Sequence, residues 1–240
     1  MNVVVGGASG IGASVATMLP GETIVADRFG GDMFCDLTEP ASLVSLANSI
    51  QNLSALVVTA GVSPAMADAR TIFDVNLAGT ARVLQAFDRH VTAGVVAVCV
   101  ASMAGHLGVW PAETVRQLDD PLSTPDAAIT NDPATAYMLS KLGVIRLVRR
   151  LAPDWGSRGA RIVSVSPGVV DTPMGKLETD KTAGTEEIVQ GSALARIGRP
   201  EELAAVIAFL CSDQASYITG SDILVDGGAV AAMDPLGKIS

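Results

Sequence analysis

Tyr137-Met138-Leu139-Ser140-Lys141 sets a phenol and an ammonium four residues apart, so on a helix they share one face. A free tyrosine titrates near pH ~10 and is a poor base at neutral pH. A cation held beside it favours the phenolate, and a shift of about two to three units needs roughly 3–4 kcal/mol of differential stabilisation. Ser102 follows a Val-rich run, where its hydroxyl can hold a substrate oxygen toward the phenol. The chemistry these three side chains suit is proton exchange with an oxygen that alternates between hydroxyl and carbonyl.

A second constellation lies at the start of the chain. Gly6-Gly7-Ala8-Ser9-Gly10-Ile11-Gly12 follows Val3-Val4-Val5 and opens a helical pattern. Such glycines allow a tight turn, close backbone approach to a pyrophosphate and close helix–sheet packing. The free N–H groups and positive dipole of the helix start then face the phosphates. Asp27 ends the next apolar run, where a carboxylate accepts from both hydroxyls of an adenosine ribose and repels a 2′-phosphate. That favours NAD(H). Arg28 pulls the other way, because a guanidinium binds such a phosphate. Asp36 ends a third short run and can either meet the adenine amino group or serve the helix start near Thr38.

The elements that must position these residues alternate. Strands are predicted at 3–5, 23–26, 33–35, 55–59, 95–101, 161–165 and 223–225, and helices at 11–19, 39–50, 69–89, 134–155 and 200–211. Continuous Val/Ile/Leu runs fit strands buried on both faces. The result is a single α/β domain with a doubly wound, mostly parallel seven-stranded sheet covered by helices on both sides. Two stretches break the alternation. About 106–133 reads as a polar, Pro-rich insertion, and about 174–199 as a small-residue lid that cofactor would order.

Composition narrows the function classes. The 240 residues are 49% hydrophobic but only 4% aromatic, with a net charge of −9, which argues against nucleic-acid and anionic-membrane partners. Cys35, Cys99 and Cys211 form no C-x-x-C pair and read as buried apolar side chains in a reducing cytoplasm. Neither His90 nor His106 has a partner at metal-ligand spacing, so no metal is expected, and His106 reads as a hydrogen-bonded loop histidine. No apolar run is long enough to span a bilayer, and the early first strand leaves no room for a charged leader.

The ordered motifs Gly6-x-x-x-Gly10-x-Gly12, Thr59-Ala60-Gly61, Asn76, Ser102, Tyr137-x-x-x-Lys141, Pro167-Gly168-x-x-x-Thr172, Gly220 and Asp226-Gly227-Gly228 resemble the short-chain dehydrogenase/reductase superfamily over essentially the whole chain. The resemblance implies a Rossmann-type fold and a catalytic set of Asn76, Ser102, Tyr137 and Lys141. It implies that Asn76 holds a water in a proton relay to Lys141, that Lys141 also binds the nicotinamide ribose, and that Thr172 binds the carboxamide. Ser9, Ile11, Leu37, Ala60, Gly61, Pro167, Gly168 and Val170 complete the implied cofactor set. Val5 stands where the family often has Thr, and Val58-Thr59-Ala60-Gly61 where many members have Asn-Asn-Ala-Gly; both departures bear on side-chain support of the cofactor loop. The long Ser102-to-Tyr137 connection, with Val206-Ile207-Ala208-Phe209-Leu210 and Ala215-Ser216-Tyr217, is similar to the bacterial 3α-hydroxysteroid dehydrogenase/carbonyl reductase group.

The expectation is therefore an NAD(H)-dependent interconversion of a secondary alcohol and a ketone, on an alicyclic or steroid-like substrate. Met103, Trp110, Met138, Met174 and Leu177 are the expected apolar pocket. A 3-oxoacyl-thioester reductase and a non-catalytic cofactor sensor are the alternatives. A homodimer is expected over the homotetramer common in the superfamily, because the insertion lies beside two helices that usually form an interface.

Overall fold

The computed structural model describes residues 1–123, 129–181 and 184–233. At its centre β1 (Asn2–Val5) is buried along its whole length. It pairs with β2 (Thr23–Asp27) on one side and β4 (Ala55–Val58) on the other. A short β3 (Met33–Phe34) lies beyond β2. The other wing adds β5 (Val96–Val100), β6 (Arg161–Pro167) and β7 (Asp222–Val225). The described residues form a seven-stranded sheet in the order β3-β2-β1-β4-β5-β6-β7, and every pairing is parallel. Strand order reverses beside β1, so a crevice opens there at the carboxyl ends of the strands.

Side-chain alternation divides the apolar strands between two cores. Val4, Val57, Val98 and Val163 point to one face, where they meet Val15 of α1 (Gly10–Met18) and Leu203 and Ile207 of α9 (Pro200–Cys211). Val3, Val5, Leu56, Ala97 and Ile162 point to the other face. There they pack on Leu43 and Leu46 of α2 (Pro40–Ser49), on Leu139 and Ile145 of α6 (Pro133–Ser157), and on the helix that crosses from β4 to β5. Burying each Val or Leu contributes about 1.5–3 kcal/mol, so this double-sided sheet carries the fold.

The crossing helix departs from the expected uninterrupted run over 69–89. It begins as α3 (Ala69–Ile72), widens into a π-helical stretch at Phe73–Gly79 and resumes as α4 (Thr80–Ala86), followed by a 3₁₀ turn at Asp88–His90. Asn76 lies inside the π stretch.

The insertion holds α5 (Ala112–Gln117), which the sequence reading missed; residues 124–128 of that stretch lie outside the described residues. It packs inward. Leu118 is buried, and Asp119 forms a two-pronged ion pair with Arg146 of α6 at 2.6 and 2.8 Å. The stretch expected as an irregular lid is largely helical as well: α7 (Pro173–Lys181) and α8 (Thr185–Gly191), with 182–183 outside the described residues. A last helix, α10 (Ala229–Met233), follows β7. Phe209, Tyr217 and Leu224 are exposed on α9 and about β7. Among the described residues no helix is long and apolar enough to cross a membrane.

Candidate active site

The crevice at the strand ends is a cavity of about 600 Å³ running from the glycine turn to α7 and α8. At one end Gly6 and Gly10 adopt φ values of +87° and +52°, which side-chain-bearing residues rarely do. A Cβ on Gly12 would stand 2.2 Å from the Gly6 carbonyl oxygen, so only glycine lets α1 start this close to the turn. Ser9 caps α1 without spending its hydroxyl on the helix. The first-turn N–H groups have no partner within the helix and face the cavity. This is a cradle of the kind a pyrophosphate fills.

Asp27 stands at the rim of that cradle. One of its oxygens accepts from Ala8 N at 3.1 Å and the other from Phe29 N at 3.0 Å, which aims the carboxylate beside the turn. Arg28 is drawn elsewhere: its Nε lies 3.2 Å from Asp36 Oδ2. Burial acts to raise the Asp36 pKa, but hydrogen bonds from Thr38 and the charge of Arg28 outweigh it and hold the carboxyl below its ordinary value. Asp36 therefore serves Thr38 and Arg28. Cys35, also on the cavity wall, is pushed up to about 12 by burial and by the two neighbouring carboxylates, so its thiol stays protonated.

At the other end four elements converge. Ser102 ends the extended chain after β5 and begins a 3₁₀ turn at Met103–His106. That turn lies against α6 so closely that a Cβ on Gly105 would stand 2.9 Å from the backbone of Lys141 and Leu142. Asp132 caps α6 by accepting from Thr135 N at 2.8 Å, which fixes the first turn that presents Tyr137. The Ser102 hydroxyl is directed at the Tyr137 phenol and favours its ionised form. Lys141 Nζ donates to the Val100 carbonyl at 3.2 Å and lies 5.7 Å from the centre of the Tyr137 ring. Asn76 is buried behind this pair. Its amide accepts from Val62 N at 2.8 Å and donates to Val62 O at 2.9 Å, latching the π stretch to the loop after β4. Its backbone carbonyl accepts from Thr80 Oγ1 at 2.7 Å. Gly61 joins the two, since a Cβ there would stand 3.0 Å from Asn76 Oδ1 and 3.5 Å from Lys141 Nζ. Thr172 touches the glycine turn: a Cβ on Gly10 would meet its methyl at 3.2 Å.

A profile described as NAD dependent epimerase/dehydratase family matches residues 3–173, and one described as Enoyl-(Acyl carrier protein) reductase matches 123–230. A short-chain dehydrogenase/reductase, bsc3, of Alternaria brassicicola is 32% identical over 95% of this chain and 95% of its own. The chain belongs to the short-chain dehydrogenase/reductase family. The 3-alpha-hydroxysteroid dehydrogenase/carbonyl reductase of Comamonas testosteroni is 31% identical, with 97% of each chain covered. Among solved structures, the 3-alpha-hydroxysteroid dehydrogenase from Pseudomonas sp. B-0831 complexed with NADH superposes with a TM-score of 0.88 at 30% identity, covering 98% of both chains. The protein is thus an NAD(P)-dependent oxidoreductase that acts on an alcohol or carbonyl.

For a short-chain dehydrogenase/reductase, the structure brings nearly all of the sequence-derived residues to one cleft. Gly6, Ser9, Gly10, Ile11, Gly12, Asp27, Arg28, Asp36, Leu37, Ala60, Gly61, Pro167, Gly168, Val170 and Thr172 line it beside Ser102, Tyr137 and Lys141. Met103, Met138, Met174 and Leu177 also line it. Trp110 does not. Its indole lies over Gly108, where a Cβ would stand 2.8 Å from the ring, and packs on the main core. The Val5 departure leaves no gap in the turn, because Thr59 Oγ1 donates to the Val5 and Gly6 carbonyls at 3.1 and 2.9 Å. His106 is hydrogen-bonded to Asp222 at 2.8 Å and to Ser166 at 3.2 Å. Cys211 is only partly buried, unlike Cys35 and Cys99.

The chain's own groups act on the reacting end in a direction the spacing did not show. Burial and the nearby Glu178 carboxylate act to raise the Tyr137 pKa above its ordinary value, and the Ser102 hydroxyl opposes them. Burial also depresses its intended cation, with Lys141 pushed down to about 8 despite the field of Glu178. Glu178 itself was missed. Once 173–181 is known to be helical, Met174, Leu177 and Glu178 fall at i, i+3 and i+4 on one face, and all three line the cleft. Burial raises the Glu178 pKa, while Lys141 and Ser63 oppose the shift.

Proposed function

We propose that this protein is an NAD(H)-dependent dehydrogenase/reductase that interconverts a secondary alcohol and a ketone on an alicyclic or steroid-like carbon skeleton. The observation that carries the reading is the convergence of Ser102, Tyr137 and Lys141 at the apolar end of a cleft whose other end is a phosphate cradle. When bound, the nicotinamide gives or takes the hydride at the reacting carbon and, in its oxidised form, brings a positive charge that favours the phenolate. The chain's own groups do the rest. Ser102 holds the substrate oxygen toward Tyr137. Tyr137, kept neutral by burial, donates its proton to the carbonyl oxygen as reduction proceeds. Lys141 refills that proton and would hold the nicotinamide ribose. Asn76 holds the loop of Gly61 and Val62 against the Lys141 head, so its role is positional at its amide. Thr172 takes the carboxamide edge.

Two charges favour NAD(H). The Asp27 carboxylate is held beside the turn, where it would meet the adenosine ribose, and the Arg28 guanidinium that would hold a 2′-phosphate is paired with Asp36. Met103, Met138, Met174 and Leu177 give the reacting end its apolar wall. A 3-oxoacyl-thioester reductase has the Enoyl-(Acyl carrier protein) reductase profile in its favour. The net charge of −9 and Asp27 weigh against it, since a phosphopantetheine carrier needs a basic surface. The deciding measurement is a turnover screen of cyclic ketones, 3-ketosteroids and acetoacetyl-CoA with NADH and with NADPH. Reduction of cyclic ketones with NADH is the expected outcome, and turnover of acetoacetyl-CoA with NADPH alone would overturn it.

A further inference from the structure

We propose that Glu178 is a specificity-determining residue, whose carboxyl accepts a hydrogen bond from a hydroxyl that the substrate carries beside its reacting carbon. The preferred ketone is then a hydroxy-ketone, and the preferred alcohol the matching diol. The inference rests on the oxidoreductase reading above and narrows its substrate class.

α7 starts directly after Thr172, and its face of Met174, Leu177 and Glu178 lines the cleft across from Tyr137 and Lys141. Among the described residues lining the cleft, the charged groups are Asp27, Arg28 and Asp36 at the strand ends by the glycine turn, and Lys141 and Glu178 at the reacting end. Lys141 gives its ammonium to the Val100 carbonyl and reaches Glu178 through space. Behind the wall the fully buried Ser63 hydroxyl faces the Glu178 carboxyl and favours its ionised form, while Glu178 itself lines the cleft. A polar group set in an otherwise apolar wall fixes orientation and selects ligands that satisfy it. A hydrocarbon ring pressed on Glu178 would strip its water without replacing the hydrogen bond, which is how a site built for a hydroxyl rejects the analogue lacking it.

The chemistry also selects the donor. An ammonium on the substrate would lie in the field of Lys141 and of the oxidised nicotinamide, and both would repel it. A carboxylate or phosphate would meet Glu178 as a like charge. A hydroxyl escapes both penalties and donates to the carboxyl in either of its protonation states. The Met103, Met138 and Met174 wall still takes the carbon skeleton, so a hydroxylated ring fits better than an open, fully hydroxylated chain.

The test compares 2-hydroxycyclohexanone with cyclohexanone under NADH, in the wild type, Glu178→Leu and Glu178→Gln. The wild type is expected to favour the hydroxy-ketone at least tenfold in kcat/KM. Glu178→Leu should bring that ratio near one, with Glu178→Gln between. Calorimetry of trans-1,2-cyclohexanediol against cyclohexanol on the NADH complex reads the same preference without turnover. A hydroxyl preference that survives in Glu178→Leu, or its absence in the wild type while cyclohexanone is reduced, would overturn the role of Glu178 alone. Failure of both ketones to turn over would overturn the reaction reading, and the calorimetric preference would then decide Glu178 by itself. Glu178→Gln guards against a folding artefact, since it keeps the shape of α7 and removes the charge, whose effect on Tyr137 and Lys141 is common to both ketones and cancels in their ratio.

Discussion

The two ends of the cleft are built from different materials. The cradle end is backbone: Gly6, Gly10 and Gly12 shape it, and its acid, Asp27, lies within the first 27 residues. The reacting end is side chain: Asn76, Ser102, Tyr137, Lys141 and Glu178 come from a π stretch, a strand end, the long helix α6 and the short helix α7. Burial follows the same division. Ser9 is exposed and Asp27 half-buried, whereas Asn76, Ser102 and Lys141 are buried, and burial acts to raise the Tyr137 pKa and to lower that of Lys141. Binding a phosphate needs N–H groups on a turn, which a contiguous segment supplies. Tuning proton transfer needs removal from water, which takes several elements closing on one another.

If that division is right, damage at the reacting end should abolish rate and spare binding. Tyr137→Phe keeps the ring and removes the exchangeable proton, so kcat should fall at least ~10³-fold, about 4 kcal/mol of transition-state stabilisation. The NADH dissociation constant should stay within about threefold of wild type. Stopped-flow single turnover and NADH fluorescence titration measure the two. A variant that keeps near-normal kcat removes Tyr137 from its role.

Damage at the cradle end should move cofactor choice more than chemistry. Asp27→Ala removes a ribose acceptor and a repulsive charge together, and should narrow the NAD+/NADP+ ratio of kcat/KM about tenfold, or ~1.4 kcal/mol. An unchanged ratio would place the selectivity elsewhere on the turn.

The smallest effect sharpens the contrast through pH. Burial pushes the Lys141 ammonium down to about 8. As pH rises through that value the folded chain loses the cation that refills Tyr137, so kcat/KM for ketone reduction should drop roughly fourfold between pH ~7 and ~8.5. The sign for stability is opposite. The unfolded lysine keeps its proton to about pH 10.4, so between the two values the unfolded state binds more protons and stability rises with pH. In Lys141→Met both trends should vanish; a reduction profile that still falls near pH ~8 would assign the limb to another group.

Much of this was legible in the chain itself. All seven strands were readable because each is a short apolar run between turn residues, and the parallel sheet followed from runs buried on both faces. The glycine turn, Asp27 and the Tyr137–Lys141 pair were readable because each depends on local spacing along one segment. The helices α5 and α7 were missed because their polar, small-residue sequences carry little periodicity and owe their form to what they pack on.

Sequence alone thus determined the fold class, the family motifs and the candidate proton donor. Tertiary structure decided that Arg28 pairs with Asp36, that Thr59 ties the turn Val5 leaves unsupported, that Trp110 belongs to the packing and that Glu178 belongs to the cleft. It also set the burial and the Glu178 charge that act on the Tyr137 phenol, which spacing to Lys141 does not record. The physical reason is common to all of these. A side chain's partners, its loss of water and the charges that face it are set by elements far away in the chain, and no local pattern records them.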